Sequence, residues 1–332
     1  MWGSRTRLWG VVRTRSFPDR QRSKKGLNET AESQLITTDA HLEPRIIAIA
    51  NQKGGVGKTT TTVNLAALLA ARGYRILVVD ADPQGNATSS LGVEKGELDE
   101  TLYDAMLDPD GVQTLPISEV RHGVDLYPAT PDLAAVEVEL VAHHSRERAL
   151  ARALAATEAP YDVCLIDCPP SLGLLTVNAL TAADQVLVPL QCEFLALEGL
   201  GQLLATIDLI KRGLNPDLTV LGVLMTMYDA RTRLSAHVVE EVRRHMPNDL
   251  LSTIVPRAIR LAEAPSYGQV ISEYDPESRG AIAYEHLADE LLARMGWPER
   301  RPESNRDPAG GGFVAAFDPG DGLHDGHGFG AH

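Results

Sequence analysis

Apolar positions along the chain fall into two alternating patterns. Short continuous runs rich in β-branched residues read as strands buried on both faces: Ile46, Ile47 and Ile49, then Arg75–Asp80, Val124–Pro128, Tyr161–Asp167, Asp184–Leu190, Leu218–Met227 and a piece at Ile254 and Val255. Between them the spacing turns helical. Over Lys58–Arg72, Val63, Ala66, Ala67 and Ala70 share a face that Leu65, Leu68 and Leu69 widen, and Gly73 supplies the stop. A short helical piece carries Leu98, Leu102, Ala105 and Met106, and a long one is expected from Pro131 to Ala156 with a polar interruption at His143–Ser145. Leu195–Arg212 is amphipathic, and a further helix carries Arg243 and Arg244. Glu273–Gly280 reads as a loop, with Ser278 in position to cap a last helix bearing Ile282, Leu287, Leu291 and Leu292. Strand and helix in alternation predict an α/β fold, a mostly parallel twisted sheet with helices on both faces.

The two ends depart from this pattern. Residues 1–43 show no sustained periodicity, and residues 1–25 hold eight Lys or Arg against the single acid Asp19, which predicts a disordered basic arm. Such a composition suits a dispensable tail, an electrostatic tether to DNA or an organelle transit peptide. Residues 299–332, with Gly310–Gly312, read as a flexible Gly/Pro/Asp-rich tail without the amphipathic face of a membrane anchor. Residues 44–298 are then the folded domain.

Composition narrows the classes. Of 332 residues 44% are apolar, ample for a core, yet no run approaches the roughly 20 apolar residues that span a bilayer. Cys164, Cys168 and Cys192 lack the spacing of a metal knuckle or disulfide framework; they suit a reducing cytosol and small core positions. The net charge of −14 repels phosphate on average, and without the basic arm the remainder is more negative still. Any nucleic-acid contact by the domain must come from a local patch.

The chemistry concentrates where the first strand empties into Asn51-Gln-Lys53-Gly54-Gly55-Val56-Gly57-Lys58-Thr59-Thr60. Glycines at 54, 55 and 57 let successive backbone N–H groups turn inward, and the following helix adds the positive end of its dipole. That is a phosphate cradle, with Lys58 in register for the β- and γ-phosphates and the Thr59 hydroxyl for Mg²⁺. The strict pattern G-x-x-x-x-G-K-[ST] is broken at its first position, where Gln52 stands, and the loop carries a second lysine, Lys53. Two strands end in acids beyond it. Asp80-Ala-Asp82 follows the second, and Asp167 closes Tyr161–Asp167. Carboxylates at the C-terminal rim of a parallel sheet can order Mg²⁺ or an attacking water.

This loop resembles the deviant Walker A motif of the ParA/MinD class of P-loop NTPases. The resemblance implies that Lys53 reaches across a dimer interface to a partner's nucleotide, that hydrolysis depends on Asp82, and that Asp167 is the Walker B acid near Mg²⁺. It narrows toward the ParA/Soj branch at Met225-Thr-Met-Tyr-Asp-Ala-Arg231 and at Pro256-Arg257-Ala-Ile-Arg260-Leu-Ala-Glu-Ala-Pro-Ser-Tyr-Gly268. By that resemblance Arg231 and Arg260 belong to a DNA patch that reads no sequence, while Pro256 and Arg257 lie near the nucleotide base. The nucleotide set is then Lys53 through Thr60 with Pro256 and Arg257; the metal set is Thr59, Asp82 and Asp167; the catalytic set is Lys53, Lys58 and Asp82. The implied protein is a cytoplasmic, nucleoid-associated ATPase using ATP and Mg²⁺, an ATP-dependent homodimer that binds non-specific DNA. It would segregate a chromosome or plasmid with a ParB-like partner, without a membrane. A positioning ATPase for another cargo, a MinD-like membrane-cycling ATPase and an iron–sulfur carrier share the loop and stay open at this point.

Overall fold

The computed structural model describes residues 43–108, 115–157, 160–194, 196–298 and 300. The expected basic arm therefore lies outside the described residues except for Glu43, and the expected C-terminal tail except for Arg300.

Strand β1 (Arg45–Ile49) leads through the glycine loop into α1 (Lys58–Ala71), and Gly73, at φ 84°, turns the chain into β2 (Ile76–Asp80). Two short helices, α2 (Asn86–Ser90) and α3 (Leu102–Leu107), precede a hairpin of β3 (Ile117–Arg121) and β4 (Val124–Tyr127). Next come α4 (Val136–Glu139), α5 (Ala149–Ala156), β5 (Val163–Asp167), α6 (Leu174–Ala182), β6 (Gln185–Gln191) and α7 (Ala196–Gly213). The chain closes with β7 (Thr219–Tyr228), α8 (Arg233–His245), β8 (Leu250–Pro256), α9 (Arg260–Glu263), α10 (Ile271–Tyr274) and α11 (Arg279–Met295).

The strands form one eight-stranded sheet in the order β3-β4-β2-β5-β1-β6-β7-β8. All neighbours are parallel except β3 and β4. Alternation along β1 sorts the core into two layers. Ile47 and Ile49 face α1 and α11, where Leu65, Leu69, Leu287 and Leu291 bury, whereas Ala48 joins Leu102, Leu150, Leu180 and Leu203 on the opposite face. The chain moves from β1 to β2 on one side and later adds β6, β7 and β8 on the other, so the C-terminal end of β1 is a topological switch point, where open α/β sheets bind ligands.

The structure corrects several expectations. The long helix over Pro131–Ala156 is broken: 3₁₀ turns at Pro131–Ala135, Leu140–Ala142 and Arg146–Arg148 separate α4 from α5, and Ser145 takes a left-handed conformation at φ 58° that no continuous helix accommodates. Asn178 of α6 takes up the freed backbone groups, accepting from Leu150 N–H and donating to the Arg146 carbonyl. The expected helical piece at Leu98 starts later, at a Thr101–Asp104 capping box, and leaves Leu98 outside. Strand β3 was unexpected, being polar at Ser118 and Glu119. The loop expected over Glu273–Gly280 is shorter, Asp275–Ser278, because α10 runs through Tyr274 and α11 starts at Arg279, and Ser278 does cap α11 by accepting from Ala281 N–H at 3.1 Å.

Candidate nucleotide site

The site starts with a residue the sequence pattern passed over. Asn51, buried at the end of β1, donates from Nδ2 to the Pro189 carbonyl of β6 at 2.7 Å, and its Oδ1 accepts from Lys53 N–H at 3.0 Å. The loop is thus hung between two strands before its glycines begin. Gly55 and Gly57 sit at φ 73° and 92°, in the left-handed region where a side chain would strain the backbone. Gly57 is also the residue from which α1 departs, its carbonyl accepting from Thr61 N–H at 2.9 Å. Gly54 packs toward Pro170, and the Val56 carbonyl accepts from Thr226 Oγ1 of β7 at 2.8 Å.

The two lysines of the loop go different ways. Lys58 is buried and turns its ammonium back into the loop, donating to the Lys53 carbonyl at 3.2 Å. Burial lowers its pKa, opposed by the attraction of Asp167. Lys53 turns outward and pairs with Glu193, just past β6, with its side chain 45% exposed.

Asp167, at the tip of β5, is wholly buried and accepts from Thr59 Oγ1 at 2.7 Å and from Thr62 Oγ1 at 3.1 Å. Burial, and then the neighbouring Asp80 carboxylate, push its pKa up. Asp80 faces Asp167 in register across β2 and β5, but is engaged locally: its Oδ2 accepts from both N–H and Oγ1 of Thr88, each at 2.7 Å, and its Oδ1 from Asp82 N–H at 3.3 Å. Thr88 Oγ1 in turn accepts from Ala129 N–H at 2.9 Å, so Asp80 pins α2 to the sheet. Asp82, two residues on, is buried and holds the turn that follows by accepting from Gln84 N–H at 3.0 Å. Thr60 lies half-buried in the first turn of α1, its carbonyl accepting from Asn64 Nδ2 at 2.7 Å.

These residues, Lys53 through Thr60 with Asp82 and Asp167, gather at the C-terminal ends of the central strands. Pro256 and Arg257 stand apart on the same rim: β8 is the third strand from β1, roughly 14 Å across the sheet. Pro256 pairs with Tyr228, and Arg257 N–H donates to the Tyr228 carbonyl at 2.9 Å. The loops after β7 and β8 are therefore neighbours, and they carry the other two arginines. Arg231 is 88% exposed and grips Asp229 through Nε and Nη2 at 2.9 and 2.7 Å. Arg260 pairs with Glu263 at 2.9 Å and Asp275 at 3.4 Å, over the Tyr274 ring. Asn51, Thr62, Thr226 and Glu193 carried no sequence signal, because their partners, or the elements they join, are mostly distant in the chain.

A buried strand, a glycine loop with an inward lysine, a helix opening in Thr59, and a strand-tip acid bonded to that threonine define a P-loop nucleoside triphosphatase. A family model described as an AAA domain matches residues 44–220. The sporulation initiation inhibitor protein Soj of Bacillus subtilis (strain 168) is 54% identical over 249 residues, covering 75% of this chain and 98% of that protein. The chromosome partitioning protein ParA of Myxococcus xanthus is 54% identical over 251 residues, 75% of this chain and 88% of that one. Among solved structures, one described as cobyrinic acid a,c-diamide synthase from Mycobacterium smegmatis, with bound ADP and magnesium, superposes with a TM-score of 0.67 at 42% identity, covering 78% and 98% of the two chains. The chain belongs to the ParA/Soj family of chromosome-partitioning ATPases, with the AAA-type P-loop domain as its core.

Proposed function

We propose that this protein is an ATP- and Mg²⁺-dependent partition ATPase that dimerises over its nucleotide and binds DNA as the dimer. The observation that carries the reading is the split between the two loop lysines: Lys58 folded into its own phosphate cradle, Lys53 turned out of it. The M. smegmatis structure holds ADP and magnesium, which supports the same ligands here, although that protein is named for a different chemistry.

The donor set fits Mg²⁺. Thr59 Oγ1 and Asp167 Oδ2 are hard oxygens in contact at 2.7 Å at the end of the glycine loop. This is the composition expected for a cation that completes its shell with phosphate oxygens and water. Thr59, Asp167 and Asp82 would hold it, and when bound it neutralises charge on the phosphates. The chain's own groups do the rest. The loop N–H groups and Lys58 would bind and orient the triphosphate, Asp82 at the rim would orient a water, and Asn51 keeps the loop in register with β6.

Dimerisation is supported by the surface around the loop. Phe194 is 83% exposed beside Glu193, and Leu172 and Val138 are exposed on segments at the same rim, where the Glu137 side chain lies against Gly173. Exposed apolar groups around a polar site suit burial against a second copy. On this reading Lys53 of one copy reaches the phosphates of the other, Pro256 and Arg257 lie near the base, and Arg231 and Arg260 exchange their carboxylates for DNA phosphates. A ParB-like partner would stimulate hydrolysis and release, on the nucleoid, in the cytoplasm. Sedimentation velocity with Mg-ATP, ADP and no nucleotide tests the dimer. ATP alone should give dimers, and Lys53→Ala should abolish them; equal dimerisation by Lys53→Ala would overturn the cross-dimer role.

A further inference from the structure

We propose that Glu193 is a positioning residue that withholds Lys53 from the phosphates until a partner's triphosphate competes for it. The proposal rests on the cross-dimer reading above and adds the group that regulates it.

Three observations carry it. First, the Lys53 backbone cannot move freely: its N–H is held by Asn51, itself tied to β6, and its carbonyl receives the Lys58 ammonium. Only the side chain is left to choose a partner. Second, that side chain is paired with Glu193, which is partly buried, with 28% of its side chain exposed, and whose Oε1 is covered by the lysine itself and receives no hydrogen bond from any other described group. Third, Glu193 is fixed by its own backbone, its N–H donating to the Gln191 carbonyl at 2.9 Å and its carbonyl accepting from Ala196 N–H at 3.2 Å, so it cannot follow a departing lysine far.

The consequence is electrostatic. Moving Lys53 to any other site leaves a partly buried carboxylate without its cation, which disfavours the move unless the new site carries more negative charge than Glu193 does. A triphosphate satisfies that condition better than a diphosphate, and an empty site does not satisfy it. Glu193 thereby makes association selective for the ATP-loaded partner, whereas a free Lys53 would discriminate less.

The test is the dimer dissociation constant, by sedimentation velocity, of wild type, Glu193→Gln, Lys53→Ala and the double variant, each with Mg-ATP and Mg-ADP. A half-exposed ion pair contributes roughly 1.4- to fivefold, and two are released per dimer, so Glu193→Gln should tighten the ATP dimer by about 2- to 25-fold. It should also let ADP support a measurable dimer. Lys53→Ala should not dimerise, and adding Glu193→Gln to it should change nothing, because the effect runs through the lysine. Glu193→Ala should shift the constant in the same direction as Glu193→Gln, which guards against a local packing effect of the amide. Unchanged or weakened dimerisation by Glu193→Gln, with an ATP-dependent wild type and an inactive Lys53→Ala, overturns the role of Glu193 alone. A wild type that stays monomeric with ATP overturns the cross-dimer reading and this proposal together.

Discussion

Asp80 and Asp167 end neighbouring strands in matched register, and their surroundings assign them different tasks. Asp80 commits Oδ2 to Thr88 and Oδ1 to Asp82 N–H, and serves to hold α2. Asp167 is bonded to two threonine hydroxyls of α1, one of which, on Thr59, is the threonine of the phosphate loop. Asp167→Asn keeps the volume and removes the charge. It should erase the Mg²⁺ dependence of ATP binding: chelating the metal should weaken binding of a fluorescent ATP analogue to wild type by about 10- to 100-fold and leave the variant nearly unchanged. A variant with full metal dependence would remove Asp167 from the metal set. Lys58, Thr59 and Asp167 were legible in the sequence because the chemistry fixes their spacing or their place at a strand tip. Glu193 and Asn51 were not, since an acid after one strand and an amide after another acquire meaning only when β1 and β6 lie side by side.

At the scale of elements, the short helix α2 connects the nucleotide rim to the rest of the fold, and its geometry hangs on Gly85. That residue sits at φ 61°, and a Cβ there would approach the Ala129 carbonyl oxygen to 2.5 Å and Lys95 Cδ to 2.7 Å. Lysine can swing away, but the backbone carbonyl cannot. Gly85→Ala should therefore cost on the order of 2–3 kcal/mol, read as a drop of several degrees in the thermal unfolding midpoint. A midpoint within a degree of wild type would mean that the turn relaxes without strain. The parallel strands were legible because both faces are buried and the runs are continuously apolar. The hairpin strand β3 was not, since Ile117–Arg121 alternates poorly and is held by pairing with β4 and by Arg121, which reaches Glu273 and the Gly268 carbonyl. The expected helix over Pro131–Ala156 has the right period but breaks at Ser145, where Asn178 from α6 supplies the missing partners. No local signal encodes that rescue.

Across the whole molecule, nucleotide residues and arginines share one end of the sheet, and a physical link joins them. Gly92, just past α2, lies against Gly268 at the end of the segment that begins with Arg260, so closely that a Cβ on Gly268 would meet Gly92 Cα at 3.0 Å. Asp80 and Asp82 thus precede the N-terminal end of α2, and the arginine segment meets the chain just past its C-terminal end. A protein of net charge −14 would bind DNA only through such a local patch, and each arginine would have to give up a carboxylate to do so. On the proposed function, doubling the patch by dimerisation would make DNA binding a consequence of ATP binding. The most direct measurement is retention of the full chain on non-specific duplex DNA with Mg-ATP, ADP and no nucleotide, across a salt series, for wild type and the Arg231→Ala, Arg260→Ala double variant. Retention should require ATP, and the double variant should lose it while still dimerising, with any residual slope of log K against log salt shallower by roughly 3 to 4 for the four arginines of a dimer. Equal retention in all nucleotide states, or an unchanged salt slope in the double variant, would contradict the account.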